Sequence, residues 1–312
     1  NTEEIFSHNK LAIIDKCIYD KSHDALDSLN TINPYKLSEN NKAYYNLLTA
    51  IAINESNRKF KNDSLITSSL TWYEKKNDYY NYCRSILYKG IALFNSNKSD
   101  STAYSYLKHS EELYNKYEFS DKVLQSSIYQ YLGKINRIKK NYKEAEQYLL
   151  LSCNISAELN RNEDEQNTRL ELFWTYLAQK RYKEALSNII YFEESDTFSP
   201  EIQYSLYNAL SGYYSAKNEL DISIEYVKKM VKLMGNKSLI IDKPKLYYTL
   251  SSYYKRIGVQ DSALYYSKLA VSSIVDSLST ENSFYYKYLA DIYVSKSDYI
   301  NAYSNYKNAY NS

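Results

Sequence analysis

The chain has 312 residues, 44% of them apolar and 24% charged, an ordinary balance for a folded protein. Its 39 basic and 37 acidic residues leave a net charge of +2, which excludes the strong basic footprint of a nucleic-acid or anionic-membrane binder. Five glycines and three prolines are too few for the turns of a large sheet protein, so the composition points to helices, and no apolar run is long enough to span a bilayer.

Along the chain, Ala25, Leu65, Ala103, Ala145, Ala185, Ser223, Ala263 and Ala302 stand at gaps of 40, 38, 42, 40, 38, 40 and 39 residues. A period of that size marks an array of helix-turn-helix units, each too small to bury its own apolar face. The predicted units are 4–33, 41–76, 79–117, 122–159, 163–195, 200–234, 243–277 and 282–311, read as one continuous domain over 1–312. The first three are loosely patterned, and around Gly90 the helix register stays open by one residue.

In the fourth unit Ile128, Leu132 and Ile135 precede a turn at 139–141, and Tyr142, Ala145, Leu149 and Ser152 follow it at helical spacing. The fifth repeats this with Leu172 and Tyr176, a turn at 179–181, then Tyr182, Ala185, Ile189 and Phe192. The sixth reads Leu210, Tyr214, Leu220, Ser223, Val227 and Met230. The seventh reads Leu250, Tyr254, Ala263, Ser267 and Ala270. The eighth reads Leu289, Tyr293, Tyr299, Ala302, Tyr306 and Ala309. Pro34, Pro200 and Pro244 fall between units, and Ser199-Pro200 has the form of an N-cap before a first-turn proline. The loops at 160–166, 195–200 and 234–244 are polar or carry turn residues. The recurring alanine is expected where two antiparallel helices come closest, with the tyrosine before it plugging the gap beside the turn.

These residues resemble the tetratricopeptide repeat. Tyr129, Leu132, Gly133, Tyr142, Ala145, Leu149 and Ser152 fit that family's pattern, and Tyr286, Leu289, Ala290, Tyr293, Tyr299, Ala302, Tyr306 and Ala309 fit it more fully. The repeat is near 40 residues instead of 34, and Phe173 stands where a small residue is expected. The resemblance implies an all-α solenoid of about eight repeats wound as a right-handed superhelix. A narrower likeness, carried by the tyrosine-rich repeats and Asp261-Ser262-Ala263-Leu264, is to the repeat regions of bacterial membrane-anchored helix-turn-helix regulators. With the apolar Ile300, Tyr303, Tyr306 and Tyr310 on the last helix, it leads us to expect that the native polypeptide continues past Ser312.

No motif supplies converging catalytic groups. His8, His23 and His109 are isolated, and no metal-binding, nucleophile-elbow or phosphate-loop spacing occurs. Cys17, Cys83 and Cys153 are odd in number and far apart, which fits three small buried residues and no disulfide framework. We expect no enzyme, no catalytic residue, no metal and no cofactor. The 39 tyrosines are read first as codon bias in an Asn- and Lys-rich chain and second as a recognition surface.

In the resembled family, first helices line a concave groove. Carried over, the fourth unit offers Ser127, Gln130, Lys134 and Arg137, and the fifth Asn167, Leu170, Trp174 and Leu177. The seventh offers Lys245, Tyr248, Ser252 and Lys255, and the eighth Tyr285, Lys287 and Asp291. Gln130, Lys134, Arg137, Asn167, Trp174, Tyr248, Lys255 and Tyr285 are the expected contacts, with Trp174 either a partner anchor or, if the register shifts by one, a core residue. The expected function is a non-enzymatic scaffold for a protein or peptide partner, an acidic segment being one that the basic residues suit. The alternative is the sensing domain of a membrane-anchored transcriptional regulator. The segment itself is expected neither to bind nucleic acid nor to insert in a membrane. Its oligomeric state stays open, and so does its compartment, the periplasm being favoured over the cytoplasm by the missing native N-terminus and the regulator likeness.

Overall fold

The computed structural model describes residues 2–56, 64–97, 101–190, 192, 198–236, 239, 241–274 and 280–311. Asn1, Ser312 and parts of the predicted loops at 195–200 and 234–244 lie outside the described residues. Sixteen α-helices and no strand occur among the described residues. They are α1 Thr2–Cys17, α2 Ser22–Asn30, α3 Glu39–Glu55, α4 Ser64–Lys76, α5 Tyr79–Ser96, α6 Ser101–Lys116, α7 Lys122–Ile138 and α8 Tyr142–Glu158, then α9 Asn162–Ala178, α10 Tyr182–Ile190, α11 Pro200–Ala216, α12 Leu220–Lys232, α13 Lys243–Arg256, α14 Gln260–Ser272, α15 Thr280–Ser295 and α16 Tyr299–Asn311. Two compact units result, Asn1–Thr175 and Tyr176–Ser312. Within the first, α1–α2, α3–α4, α5–α6 and α7–α8 pack as hairpins. Within the second, α11–α12, α13–α14 and α15–α16 do the same.

The turns are built alike. A residue in the left-handed region follows the first helix in the fourth to eighth pairs: Lys140 at φ 65°, Lys180 at 59°, Asn218 at 63°, Gly258 at 82° and Ser297 at 60°. The amide three residues past the helix then donates back five residues: Asn141 to the Asn136 carbonyl (2.9 Å), Glu219 to Tyr214 (2.8 Å), Val259 to Tyr254 (2.9 Å) and Asp298 to Tyr293 (2.9 Å). This closes carbonyls that the helix end would leave open.

Close approach of the paired helices explains the periodic small residues. Ala103, Ala145, Ala185, Ser223 and Ala263 are wholly buried. Gly133 has no room for a methyl group, which would lie 2.5 Å from Leu149 Cγ. Serine hydroxyls bridge the pair at this contact: Ser223 donates to the Ser211 carbonyl at 2.7 Å, and Ser251 of the facing helix donates to the Ala263 carbonyl at 2.6 Å. Lys143, Glu144, Lys183 and Glu184 face solvent. In the second hairpin, however, Leu65 is 37% exposed, and Ile66 and Ser69 occupy the buried stripe instead. Ser69 donates to the Ala43 carbonyl at 2.8 Å, as Ser152 donates to Ser126 at 3.0 Å one contact deeper in the fourth hairpin. Leu65 therefore marks the wrong residue of that repeat.

In the first unit, the first helices also pack on one another, α1 on α3, α3 on α5 and α5 on α7. Leu47, Ile51, Leu87 and Ile91 are completely buried there, each contributing roughly 1.5–3 kcal/mol of transfer free energy. Among the described residues of the second unit the core is divided into smaller clusters, one around Val227, Leu246 and Leu250 and one around Leu289, Tyr293 and Ala302. Cys83 and Cys153 are buried, the Cys83 thiol being pushed up to about 12 by burial, whereas Cys17 is only half-buried.

Candidate binding site

The first-helix face of the first unit is knitted together by its own polar side chains. Arg84 on α5 donates to both oxygens of Asp15 on α1, at 2.6 and 3.0 Å, and Tyr44 on α3 donates to the same carboxylate at 2.6 Å. Tyr80 donates to Asp121 at 2.7 Å, Tyr88 to Glu55 at 3.0 Å and Tyr131 to Asn54 at 3.1 Å. Arg161, at the start of α9, bonds Asp164 and reaches Asp20, beside the α1–α2 turn, at 2.9 Å. Burial, and then the Asp164 charge, hold the Glu55 carboxyl above the ordinary carboxylate range.

Three expected contacts lie at the edge of this seam. Gln130 donates to Thr168 at 3.0 Å, and Arg137 pairs with Glu171 at 2.9 Å. The Lys134 ammonium sits 4.6 Å from the Tyr131 ring centroid and makes a long 3.4 Å bond to Gln130 Oε1. Burial pushes its pKa down. Asn167 is half-buried on α9. Trp174 is half-buried too, its ring edge-on to Phe173 at 5.2 Å, so it is neither a bare anchor nor a sealed core residue. Leu170 lies in the core at 5% exposure.

In the second unit, the first-helix face of α13 and α15 is aromatic. The Tyr248 ring stands edge-on to Tyr288 at 4.7 Å, to Phe284 at 5.0 Å and to Tyr285 at 6.0 Å. The Lys255 ammonium lies 5.3 Å from the Tyr288 ring centroid, an attraction between cation and ring face. Phe284 is 50% exposed. The buried Tyr288 hydroxyl lies beside Ser251 and Ser252 without closing a hydrogen bond of ordinary geometry. Tyr248, Lys255 and Tyr285 were expected on this face. Phe284 and Tyr288 were not, although they continue the 285 row by one residue back and three forward, a signal that helical spacing carries.

No group of three or more potential metal ligands occurs among the described residues. No helix there is long and apolar enough to cross a membrane. The sequence matches no protein-family model and none of the curated proteins. Solved structures do resemble it. The Rap protein complexed with competence and sporulation factor superposes with a TM-score of 0.66 at 12% identity, covering 99% of this chain and 97% of that one. The quorum sensor NprR from B. thuringiensis, in its apo form, gives 0.64 at 13% identity over 100% and 99%. NprR in complex with its cognate peptide NprX gives 0.66 at 13% identity over 96% and 86%. The fold is of the tetratricopeptide-repeat type. Within this all-α solenoid class, the repeats here are the hairpins described above.

Proposed function

We propose that this repeat array is a non-enzymatic scaffold that holds an extended protein or peptide segment, with its seat on the α13 and α15 face. The observation that carries the reading is the cluster of Tyr248, Phe284, Tyr285 and Tyr288 with Lys255 at its rim. Half-exposed aromatic rings beside a cation are the residue types that dominate binding energy when a partner covers them. The rings are held by one another, so little side-chain freedom is lost on binding. Lys255 has no carboxylate partner within ion-pair distance among the described residues, which favours a segment carrying an acidic residue next to an apolar one. Two of the similar structures are complexes with a named peptide or factor, and this supports the same use of the fold here. In the first unit, taken by itself, Gln130, Lys134 and Arg137 are weaker candidates, since their polar groups already engage Thr168, Tyr131 and Glu171. Asn167 and Trp174 are the remaining candidates. The membrane-anchored regulator reading has no observation of its own behind it.

The test is to pan a display library of random short peptides on the purified chain and measure the dissociation constants of enriched sequences. Tyr248→Ala should weaken them by about tenfold or more, and Lys255→Ala should weaken the acidic ones selectively. Failure to enrich any peptide, or equal affinity for both variants, would refute the assignment.

A further inference from the structure

Aligned on the left-handed residue of each turn, the fourth to eighth hairpins match place for place, with the small residue always five places on. The place before the left-handed residue holds Lys139, Gln179, Lys217 and Lys296 in four hairpins but Ile257 in the seventh. The place after it holds Asn141, Arg181, Glu219 and Asp298 in four but Val259 in the seventh. Four places after it stand Glu144, Glu184, Ser262 and Asn301 in four but Ile222 in the sixth. None of the three apolar residues is in the core: Ile222 is 41%, Ile257 36% and Val259 42% exposed. The other hairpins fold with polar residues at these places, so the packing of the repeat does not call for apolar ones.

Nor are they scattered singly, as surface apolar residues commonly are. Ile222 and Ile257 line the same cavity, of about 520 Å³, between α12 and the end of α13. A second hollow, of about 380 Å³, shares Asp221 and Ile222 with it and runs on to Lys228 and Tyr254, so the groove follows α12 for two turns. The unanswered charge in the groove is acidic. Glu225 is met by Lys228 at 2.8 Å and Glu219 by Lys217 at 3.1 Å, whereas the Asp221 carboxylate has no such partner among the described residues. Both cations that line the groove are already bonded, Lys228 to Glu225 and Arg256 to Ser215 Oγ and Asn218 Oδ1, each at 3.2 Å. An apolar side chain entering here is covered on two sides by isoleucine, and a cation beside it finds a free carboxylate.

We propose that this groove is a second docking site, separate from the aromatic cluster around Tyr248, for a protein segment in which a basic residue adjoins a large aliphatic one. The aliphatic side chain lies between Ile222 and Ile257, and the cation meets Asp221. The test pans two display libraries on the purified chain. One fixes a lysine or arginine beside an isoleucine, leucine or valine within random flanks, and the other puts an acidic residue in place of the cation. The basic library should enrich, and its peptides should shift the Ile222 and Ile257 methyl signals in NMR. Ile222→Glu with Ile257→Lys installs the residues of the fourth hairpin. It should keep the helical circular dichroism and the melting temperature, and weaken those peptides about tenfold or more. Asp221→Asn should weaken them about threefold and flatten their salt dependence. Tyr248→Ala should leave them unchanged, which distinguishes this site from the aromatic face. No enrichment, preference for the acidic library, or undiminished binding by the paired variant overturns the proposal. A melting temperature several degrees lower in the paired variant overturns it too, since the isoleucines would then be packing residues.

Discussion

Asp15 and Arg84 are 69 residues apart and form a two-pronged ion pair, with the Arg84 side chain 2% exposed and that of Asp15 21% exposed. Planar guanidinium and carboxylate match in shape, and Tyr44 satisfies the carboxylate further. Such a pair adds little net stability relative to an apolar replacement, but losing one member is costly. Asp15→Ala should destabilise the first unit by about 3–5 kcal/mol in urea unfolding. Joint replacement of Asp15 by Leu and Arg84 by Met should recover most of the loss, and no recovery would mean that the pair is more than a matched charge.

The missing side chain of Gly133 is a packing requirement. A methyl group would press on Leu149, with the side chain 2.5 Å and the backbone nitrogen 3.3 Å from it. Gly133→Ala should lower stability by about 1–3 kcal/mol, while Gly235→Ala, with nothing near, should be close to neutral. Thermal melts of the two variants make the comparison.

The turns give a prediction of opposite sign. Lys140 adopts φ 65°, which costs a side chain roughly 1–2 kcal/mol that glycine does not incur. Lys140→Gly should therefore raise the melting temperature slightly, and Gly258→Ala, at φ 82°, should lower it. Equal effects at both sites would show that the left-handed geometry is not what matters.

Glu55 ties stability to pH. Its carboxyl is held above the ordinary 4.5 in the folded chain. Between 4.5 and that raised value the folded state binds more protons than the unfolded one, so this group's contribution falls as pH rises. Glu55→Gln should match the wild type below pH 4.5 and become the more stable protein toward neutral pH. An unfolding series across that range showing a constant offset would remove the linkage.

Ser223 and Ser251 test the cross-helix bridges. Each replaced by alanine should cost about 0.5–1.5 kcal/mol, the net worth of a buried hydrogen bond. Hydrogen exchange should locate the loss in the hairpin concerned.

Much of the fold was legible because it is local and periodic. Ala145, Ala185 and Ala263 recur at a contact whose geometry recurs, and each is wholly buried. Leu65 misled because loosely patterned stretches fit a forty-residue ruler in more than one way, and only Ser69 bonding to Ala43 fixes that register. The site was legible in part. Tyr248, Lys255 and Tyr285 came from carrying the family resemblance over onto the first helices, and their neighbours in the cluster needed the rings in place. The Asp15, Glu55 and Arg84 seam was hidden, since partners from different repeats leave no mark on periodicity.

The bond between Arg161 and Asp20, 141 residues apart, alters how the first unit comes undone. In an ideal linear array, end repeats peel off one at a time, since each touches only the next. Here the opening hairpin is fastened to the fifth, so fraying from that terminus must break distant contacts as well as adjacent ones. Deleting α1 and α2 would accordingly not yield a shorter copy of the same structure: it would strip Asp15 from Arg84 on α5 and Asp20 from Arg161, just before α9, loosening helices well beyond the cut.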